Sequence, residues 1–507
     1  MSLGGALSIA SSGLANIAAN FSVISQNVAN ANTPGYAVEA VTTTSLAAAG
    51  NGVGVRTGPT TRQIDTQLEA DLYTQNGAVS GLQTQQAALQ AIDAVQGTPG
   101  GGGDLASLLG NLQDAFTSLQ TGPDNQAAQS QVVSAAKSLA QQTNALSAAY
   151  TQGRQDAQDN IVSDVSTLNA TLATIGSLST QIVEAKAAGQ STGDLENQRA
   201  QSMQALSQLV DVRFVGQPDG DLLAATANGV TLPIHSQTAP FSVQPATIGP
   251  SSTYPATSPA IELNGVDVTQ QITGGALGAE ITLRDRTLPT YQAELDEFSE
   301  TLSTRFQQQG LALFTDPTGN VPSSAGSPAQ SGYVGYAATV QVNPAVSATP
   351  SLVRDGTDTI AGSASGASAF TPNPAGGPSG FTGLITRILN YTFGADVQHG
   401  VTQPAPATTG LGPSGSLAAP FAPPPDLTTF ATAVVTAEST DSATATSRVT
   451  TEQAVQTALQ SKVSASGAVS IDTEMSQMVQ LENAYGANAK VISTLQSLWT
   501  DLQQMVT

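Results

Sequence analysis

Apolar residues recur from Leu3 through Leu7, Ala10, Leu14, Ile17, Phe21, Ile24, Val28 and Ala31, in alternating steps of four and three. That spacing keeps one stripe of a helix apolar and predicts a coiled-coil strand. The far end of the chain repeats it. One heptad position holds Ile471, Met478, Tyr485, Ile492, Trp499 and Val506, and its companion holds Glu474, Leu481, Asn488, Leu495 and Leu502. A central stripe of Ile161, Val165, Leu168, Leu172, Ile175 and Ile182 predicts another long helix. A further stripe of Tyr291, Leu295, Phe298, Leu302 and Phe306 follows Pro289 and predicts a helical island over 286–314.

Proline separates these helical stretches from the rest. None occurs between Asp124 and Gln217 or after Pro425, whereas 23 lie from Pro218 to Pro425. Proline removes a backbone donor and stops helices, so the punctuated middle, rich in Gly, Thr and Val, reads as short strands and turns. The expected fold is multidomain and mainly α with a β-rich part. Paired terminal coiled-coil helices would span 1–40 plus 470–507. A helix-rich shell would take 41–212, 284–315 and 428–469, leaving 213–283 plus 316–427 as a Pro/Gly-rich β or irregular outer region.

The amino-terminal stripe ends in "QNVANANTPGY", residues 26–36. Pro34 bars its predecessor from helical geometry, Gly35 permits a turn, and Tyr36 supplies an amphipathic anchor. Asn27, Asn30 and Asn32 offer neutral amides at the helix end. The first charge is Glu39 and the first basic residue Arg56. An uncharged arm suits packing against copies of itself, where like charges would repel. An isolated helix of this kind is marginal and needs partners, the opposite terminus first.

Composition narrows the chemistry. With 507 residues, two to four domains are expected. A net charge of -22 argues against nucleic acid and against an anionic membrane surface. No run of 18 apolar residues is present, and the amino terminus lacks the basic region of a secretory signal. With no Cys, thiolate chemistry and disulfides are excluded, and the compartment stays open. His235 and His399 stand apart from any carboxylate cluster at ligand spacing, so no metal is expected. The Gly-rich "GTPGGGGD" (97–104) lacks the Lys-Ser/Thr of a phosphate loop and reads as a break between helices. Neither Ser12-Gly13 nor "GAVSG" (77–81) has a nucleophile-elbow context. Asp285, Glu294, Asp296, Glu297 and Glu300 are expected to solvate a helix face rather than form a glycosidase pair. No catalytic residue, cofactor or metal site is expected.

Two motifs resemble a known family. "QNVANANTPGY" is similar to the amino-terminal signature of the rod, hook and hook-associated axial proteins of the bacterial flagellum. "SIDTEMSQMVQLENAYGANAKVISTLQSLW" (470–499) resembles their carboxy-terminal motif, through Ala484-Tyr485, Ala487-Asn488-Ala489 and Val491-Ile492. The segments 193–212, 274–285 and 342–353 resemble the hook-associated, junction-forming branch. The likeness is weak over 213–270 and 360–427, and Ala37-Val38-Glu39 and Leu481-Glu482-Asn483 depart from the family pattern.

The resemblance implies a non-enzymatic structural subunit that joins hook to filament outside the cell. It implies export through the flagellar type III apparatus without a cleavable signal peptide. The implied partners are further copies of the chain in a ring, the hook protein, a second junction protein and an export chaperone at the carboxy-terminal helix. The implied assembly interface comprises Leu3, Leu7, Leu14, Ile17, Phe21, Ile24, Val28, Asn30, Pro34, Gly35 and Tyr36, with Met478, Leu481, Tyr485, Asn488, Ile492, Leu495, Trp499 and Leu502. Two alternatives stand: another axial protein of hook or rod type, and an axial relative carrying a peptidoglycan-hydrolase module.

Overall fold

The 62-residue helix α4, Gln126–Ala187, is the spine of the structure. At 1.5 Å per residue it runs for roughly 90 Å. Asn125 opens it by accepting from the backbone N–H groups of Ala127 and Ala128. In this computed structural model, residues 3–33, 35–48, 51–323 and 325–506 are described. Before the spine come α1 (Leu3–Asn30), an antiparallel hairpin of β1 (Glu39–Ala48) and β2 (Asn51–Arg62), α2 (Thr66–Gln96) and α3 (Leu105–Thr121). After it come α5 (Gly193–Leu209), then β3 (Val212–Gly216), β4 (Leu222–Thr226) and β5 (Thr231–Leu232) in one sheet. A second small sheet holds β6 (Phe241–Val243), β7 (Ile261–Leu263) and β8 (Val266–Asp267). The longer helices that follow are α6 (Gly275–Thr282), α7 (Leu288–Gln308), α8 (Leu427–Gly467) and α9 (Ile471–Val506).

The two halves of α4 serve different cores. Its first half contributes Leu139, Leu146 and Tyr150 to a core shared with Phe116 of α3, Phe298 and Phe306 of α7, and Phe430 of α8. Its second half places Ile161, Val165, Leu168, Leu172 and Ile175 against Leu206, Val212, Phe241, Ile261 and Leu277. The Gly-rich 97–104 stretch is a helix stop and restart: Asp104 caps α3 and also accepts from the Gly100 N–H at 3.0 Å.

Three expectations are corrected here. The segment after residue 40, taken as helical shell, begins with the β1–β2 hairpin, where Val and Thr outnumber helix formers. Segments 213–283 and 316–427, grouped as one outer region, belong to different cores. The first packs on the far half of α4, while Tyr333, Tyr336, Val346, Phe370 and Leu384 of the second enter the core of the near half. Many short apolar anchors, rather than continuous strands, draw that proline-rich stretch inward.

The third correction concerns α7. Glu294 and Asp296 are 1% exposed and Glu297 is 4% exposed, so these carboxylates are interior. Neighbours surround α7 on every side, and its polar face finds partners there: Gly335 N–H and Ala337 N–H donate to Asp296, and the Tyr333 hydroxyl donates to Glu297. A polar stripe reads as solvent-facing only when one face of a helix is left free.

A buried guanidinium fastens an irregular loop to the spine. Arg154 of α4 donates to the carbonyls of Arg284 (3.0 Å), Gly249 (3.0 Å) and Ser252 (2.6 Å). Burial pushes its pKa down to about 10, so it stays cationic near neutral pH. Arg154→Ala strands these carbonyls and empties the site, and should lower stability by roughly 3 kcal/mol. Urea unfolding followed by circular dichroism measures this, and protease cutting near 249–252 should rise in parallel.

Candidate assembly interface

The chain ends pair as antiparallel helices. Leu3 and Leu7 of α1 share an apolar notch of about 490 Å³ with Leu495 and Trp499 of α9. Further along, a Cβ added at Gly13 would sit 3.4 Å from the Asn488 amide, so glycine here permits close approach. At the inner end the Asn27 amide donates to Glu474 at 3.3 Å. The two terminal helices thus run side by side along their length, and Leu3 and Leu7 of the α1 stripe meet the α9 stripe at Leu495 and Trp499.

Burial along this pair is uneven. Ile17 and Ile24 are buried, Leu3, Leu14, Phe21, Val28 and Asn30 are half-buried, and Leu7 is exposed. On α9, Met478, Leu481, Asn488, Ile492 and Leu495 are half-buried. Tyr485, Trp499 and Leu502, expected on the seam, are 49%, 56% and 47% exposed. Trp499 is exposed although it forms one wall of the notch beside Leu3 and Leu7, and Leu502 lies a turn nearer the end of α9. Met475, Val479, Val491, Leu498 and Met505 are also exposed, so α9 carries apolar surface that α1 does not cover.

The other side of α1 belongs to the hairpin. The Asn16 amide donates to Thr43 and Thr57 hydroxyls at 2.8 and 3.2 Å, and the Val55 N–H donates to the Ser12 hydroxyl at 3.2 Å. By length and composition α1 could also cross a membrane, although it lacks an unbroken apolar run. Small residues supply that apolarity, and here they serve close contact with α9 and β2.

At the root of the pair lies a buried polar node. Asn27, 1% exposed, donates to the Glu39 carbonyl at 2.9 Å and to the Glu474 carboxylate. Its own carbonyl accepts from the Tyr36 hydroxyl at 2.9 Å and the Glu39 N–H at 3.0 Å. Asn197 of α5 continues the node by accepting from the Ala37 N–H at 3.2 Å and donating to the Glu39 carboxylate at 3.2 Å. The Val38 N–H donates to the Gly467 carbonyl at the end of α8. One amide thus ties both terminal helices to the corner, and a second ties the corner to the body. Burial, with Asp194 nearby, pushes the Glu39 carboxyl up to about 7. Burial also raises Tyr36, so it stays a neutral donor.

Gly35 turns the corner at φ +79°, a left-handed conformation that side chains resist. The expectation for Pro34 lies outside the described residues. Sequence reasoning missed Asn197 as a site residue and gave Glu474 no role beyond its heptad position. Asn197 is 158 residues from Glu39, and no local pattern announces so distant a contact. Among the described residues no group of three or more His, Asp or Glu could hold a metal, and His235 instead pairs with Asp221 at 2.9 Å.

Three family descriptions match the chain. "Flagellar hook-associated protein FlgK helical domain" matches residues 89–320, "Flagella basal body rod protein" residues 7–36, and "Flagellar basal body rod FlgEFG protein C-terminal" residues 460–505. The last two fall on the paired ends. Flagellar hook-associated protein 1 of Salmonella typhimurium is 28% identical over 316 residues, covering 59% of this chain and 55% of that protein. Its counterpart in Escherichia coli K12 is 28% identical over 318 residues, covering 60% and 57%. The Bacillus subtilis counterpart is 26% identical over 223 residues, covering 42% and 44%. The chain spans about half the length of the curated relatives it matches. A solved structure, the flagellar hook junction protein FlgK from Burkholderia pseudomallei, aligns at 25% identity and a TM-score of 0.39 over 51% of this chain and 46% of that one.

At both ends the chain is similar to the flagellar rod and hook axial proteins. Over residues 89–320 and in its curated relatives, the similarity is to the FlgK hook-associated type.

Two substitutions probe the node. Asn27→Ala leaves the Tyr36 hydroxyl and the Glu39 N–H without their acceptor, and should weaken docking of the arm by roughly 2–4 kcal/mol. Hydrogen exchange in α1 should then accelerate while α4 is unchanged. Gly35→Val forces a β-branched residue to positive φ and should cost about 1–2 kcal/mol locally. It should impair motility and leave the main calorimetric transition in place.

Proposed function

We propose that this chain is a structural subunit joining the flagellar hook to the filament, assembled through its paired terminal helices. The observation that carries the reading is the uncovered apolar surface of α9, on a helix already paired with α1. Exposed apolar side chains gathered along one helix, unlike singly scattered ones, mark an interaction site. The family descriptions matching both ends support the same use. Neighbouring copies would cover it in a ring, with the hook protein on one side and a second junction protein on the other. The terminal pair, 1–40 plus 470–507, would line the inner tube, the helical block would surround it, and the irregular loops would face outward.

The same surface explains the expected chaperone. Before assembly Trp499, Leu502 and Met505 would invite premature association, and a helix-in-groove partner in the cytoplasm would shield them. Export through the type III apparatus, without a cleavable signal peptide, and an extracellular location at the hook's distal end complete the proposal. Chaperone release and assembly would then compete for one face.

The rod- or hook-type alternative is disfavoured by the helical-domain match over residues 89–320. The carboxylates of α7 do not favour a hydrolase, because Glu294, Asp296 and Glu297 are enclosed, and the last two are hydrogen-bonded to the protein's own groups.

The test is complementation of a deletion strain. Leu495→Asp places a charge on the seam beside Leu3 and Leu7, and should shed filament subunits into the medium and abolish swimming. It should also weaken chaperone binding at least tenfold by calorimetry. Ser497→Asp, on the other side of α9, should support swimming. Full motility with Leu495→Asp would refute the interface.

A further inference from the structure

Four helices of the first core meet around carboxyl groups that no cation among the described residues pairs with. Glu294 of α7 is 1% exposed, and neither of its carboxyl oxygens has a hydrogen-bond partner. Opposite it, α8 contributes Glu438, 2% exposed, and Asp441. From α4 comes Tyr150, whose hydroxyl donates to Glu438 at 2.5 Å, and from α2 come Gln96, donating to Glu438 at 2.7 Å, and Asp93, which accepts from Ser442. On α7 itself, Tyr291 donates to Asp441 at 2.7 Å and stacks edge-on with Tyr150 at 5.8 Å. Both tyrosines are raised by burial and by these acids, so they remain neutral donors. Glu438 and Asp441 thus have donors. Glu294 has none.

A buried carboxylate without a cation or a donor is too costly to keep ionised. We propose that the helical block folds around a bound proton: Glu294 is enclosed as the neutral acid, and its ionisation opposite Glu438 and Asp441 loosens the contact between α7 and α8. Burial and the two facing acids push Glu294 up to about 9, and burial pushes Glu438 up to about 8, from an ordinary 4.5 for each. Both values lie above those of the unfolded chain. Their contribution is therefore complete below the unfolded value, erodes as pH rises, and is gone once pH has passed the folded values. The block is a proton-stabilised unit that tolerates mild acid and weakens in alkali, independently of how the protein assembles.

The experiment is calorimetric unfolding of the full chain between about pH 5 and pH 9, in buffers of different ionisation enthalpy so that protons released on unfolding are counted. Wild type should lose melting temperature steadily across this range and release protons at neutral pH. Glu294→Gln should release about one proton fewer and lose melting temperature less steeply, a change that loss of packing alone would not produce. Should the amide variant fail to fold, Glu294→Leu, whose side chain needs no partner, provides the same count. Equal proton release in wild type and variant would overturn the proposal.

Discussion

The amide of Asn27 is the contact on which the arrangement of the chain ends depends. Its side chain hydrogen-bonds to the corner at Tyr36 and Glu39 and also to α9 at Glu474. Both of its polar atoms are in use in a buried site, so a change there leaves donors and acceptors without partners rather than returning them to water. The apolar seam beyond it supplies affinity but little register, because small residues dominate α1. Polar contacts fix what that seam leaves free: Asn16 and Ser12 against the hairpin, and Asn27 against α9. An uncharged helix with amides at intervals can take several neighbours at once, as a subunit packed among copies of itself requires.

The helical seams were legible because their spacing is regular over many turns. Leu3 and Leu7 on one helix meet Leu495 and Trp499 on the other, and Asn488 faces the first helix at Gly13. What spacing could not reveal was burial. Trp499 and Leu502 obey the heptad as well as Leu495 does, yet both stay largely exposed, although Trp499 lines the notch with Leu3 and Leu7. The node was half legible: Asn27, Tyr36 and Glu39 lie within one short stretch, while Asn197 reaches it only through the fold. Polar residues on α7 were misread because burial of a carboxylate depends on donors more than forty positions away, such as the Ala337 N–H that reaches Asp296.

Two kinds of buried acid result, and they behave differently. Asp296 and Glu297 are enclosed among backbone and tyrosine donors and fasten the 333–337 loop to α7. Glu294 faces other acids without such donors, so its protonation state is tied to whether α7 and α8 stay together. Glu39 at the node resembles the first kind through Asn197, although burial and then Asp194 beside it raise its pKa. In each case the low dielectric that makes these contacts strong also makes them sensitive to a missing partner.

Thiol labelling gives the most direct measurement of the central claim, since the natural chain has no cysteine to confuse it. A single cysteine at Leu498 reports the apolar surface of α9 that α1 leaves open, and one at Asn488 reports the seam beneath Gly13. In dilute monomer Leu498→Cys should react quickly and Asn488→Cys slowly. In isolated hook–filament structures Leu498→Cys should become protected, with Asn488→Cys slow throughout. Rapid labelling of Leu498→Cys in the assembled structure would contradict the account, because the surface assigned to neighbouring subunits would still be bare.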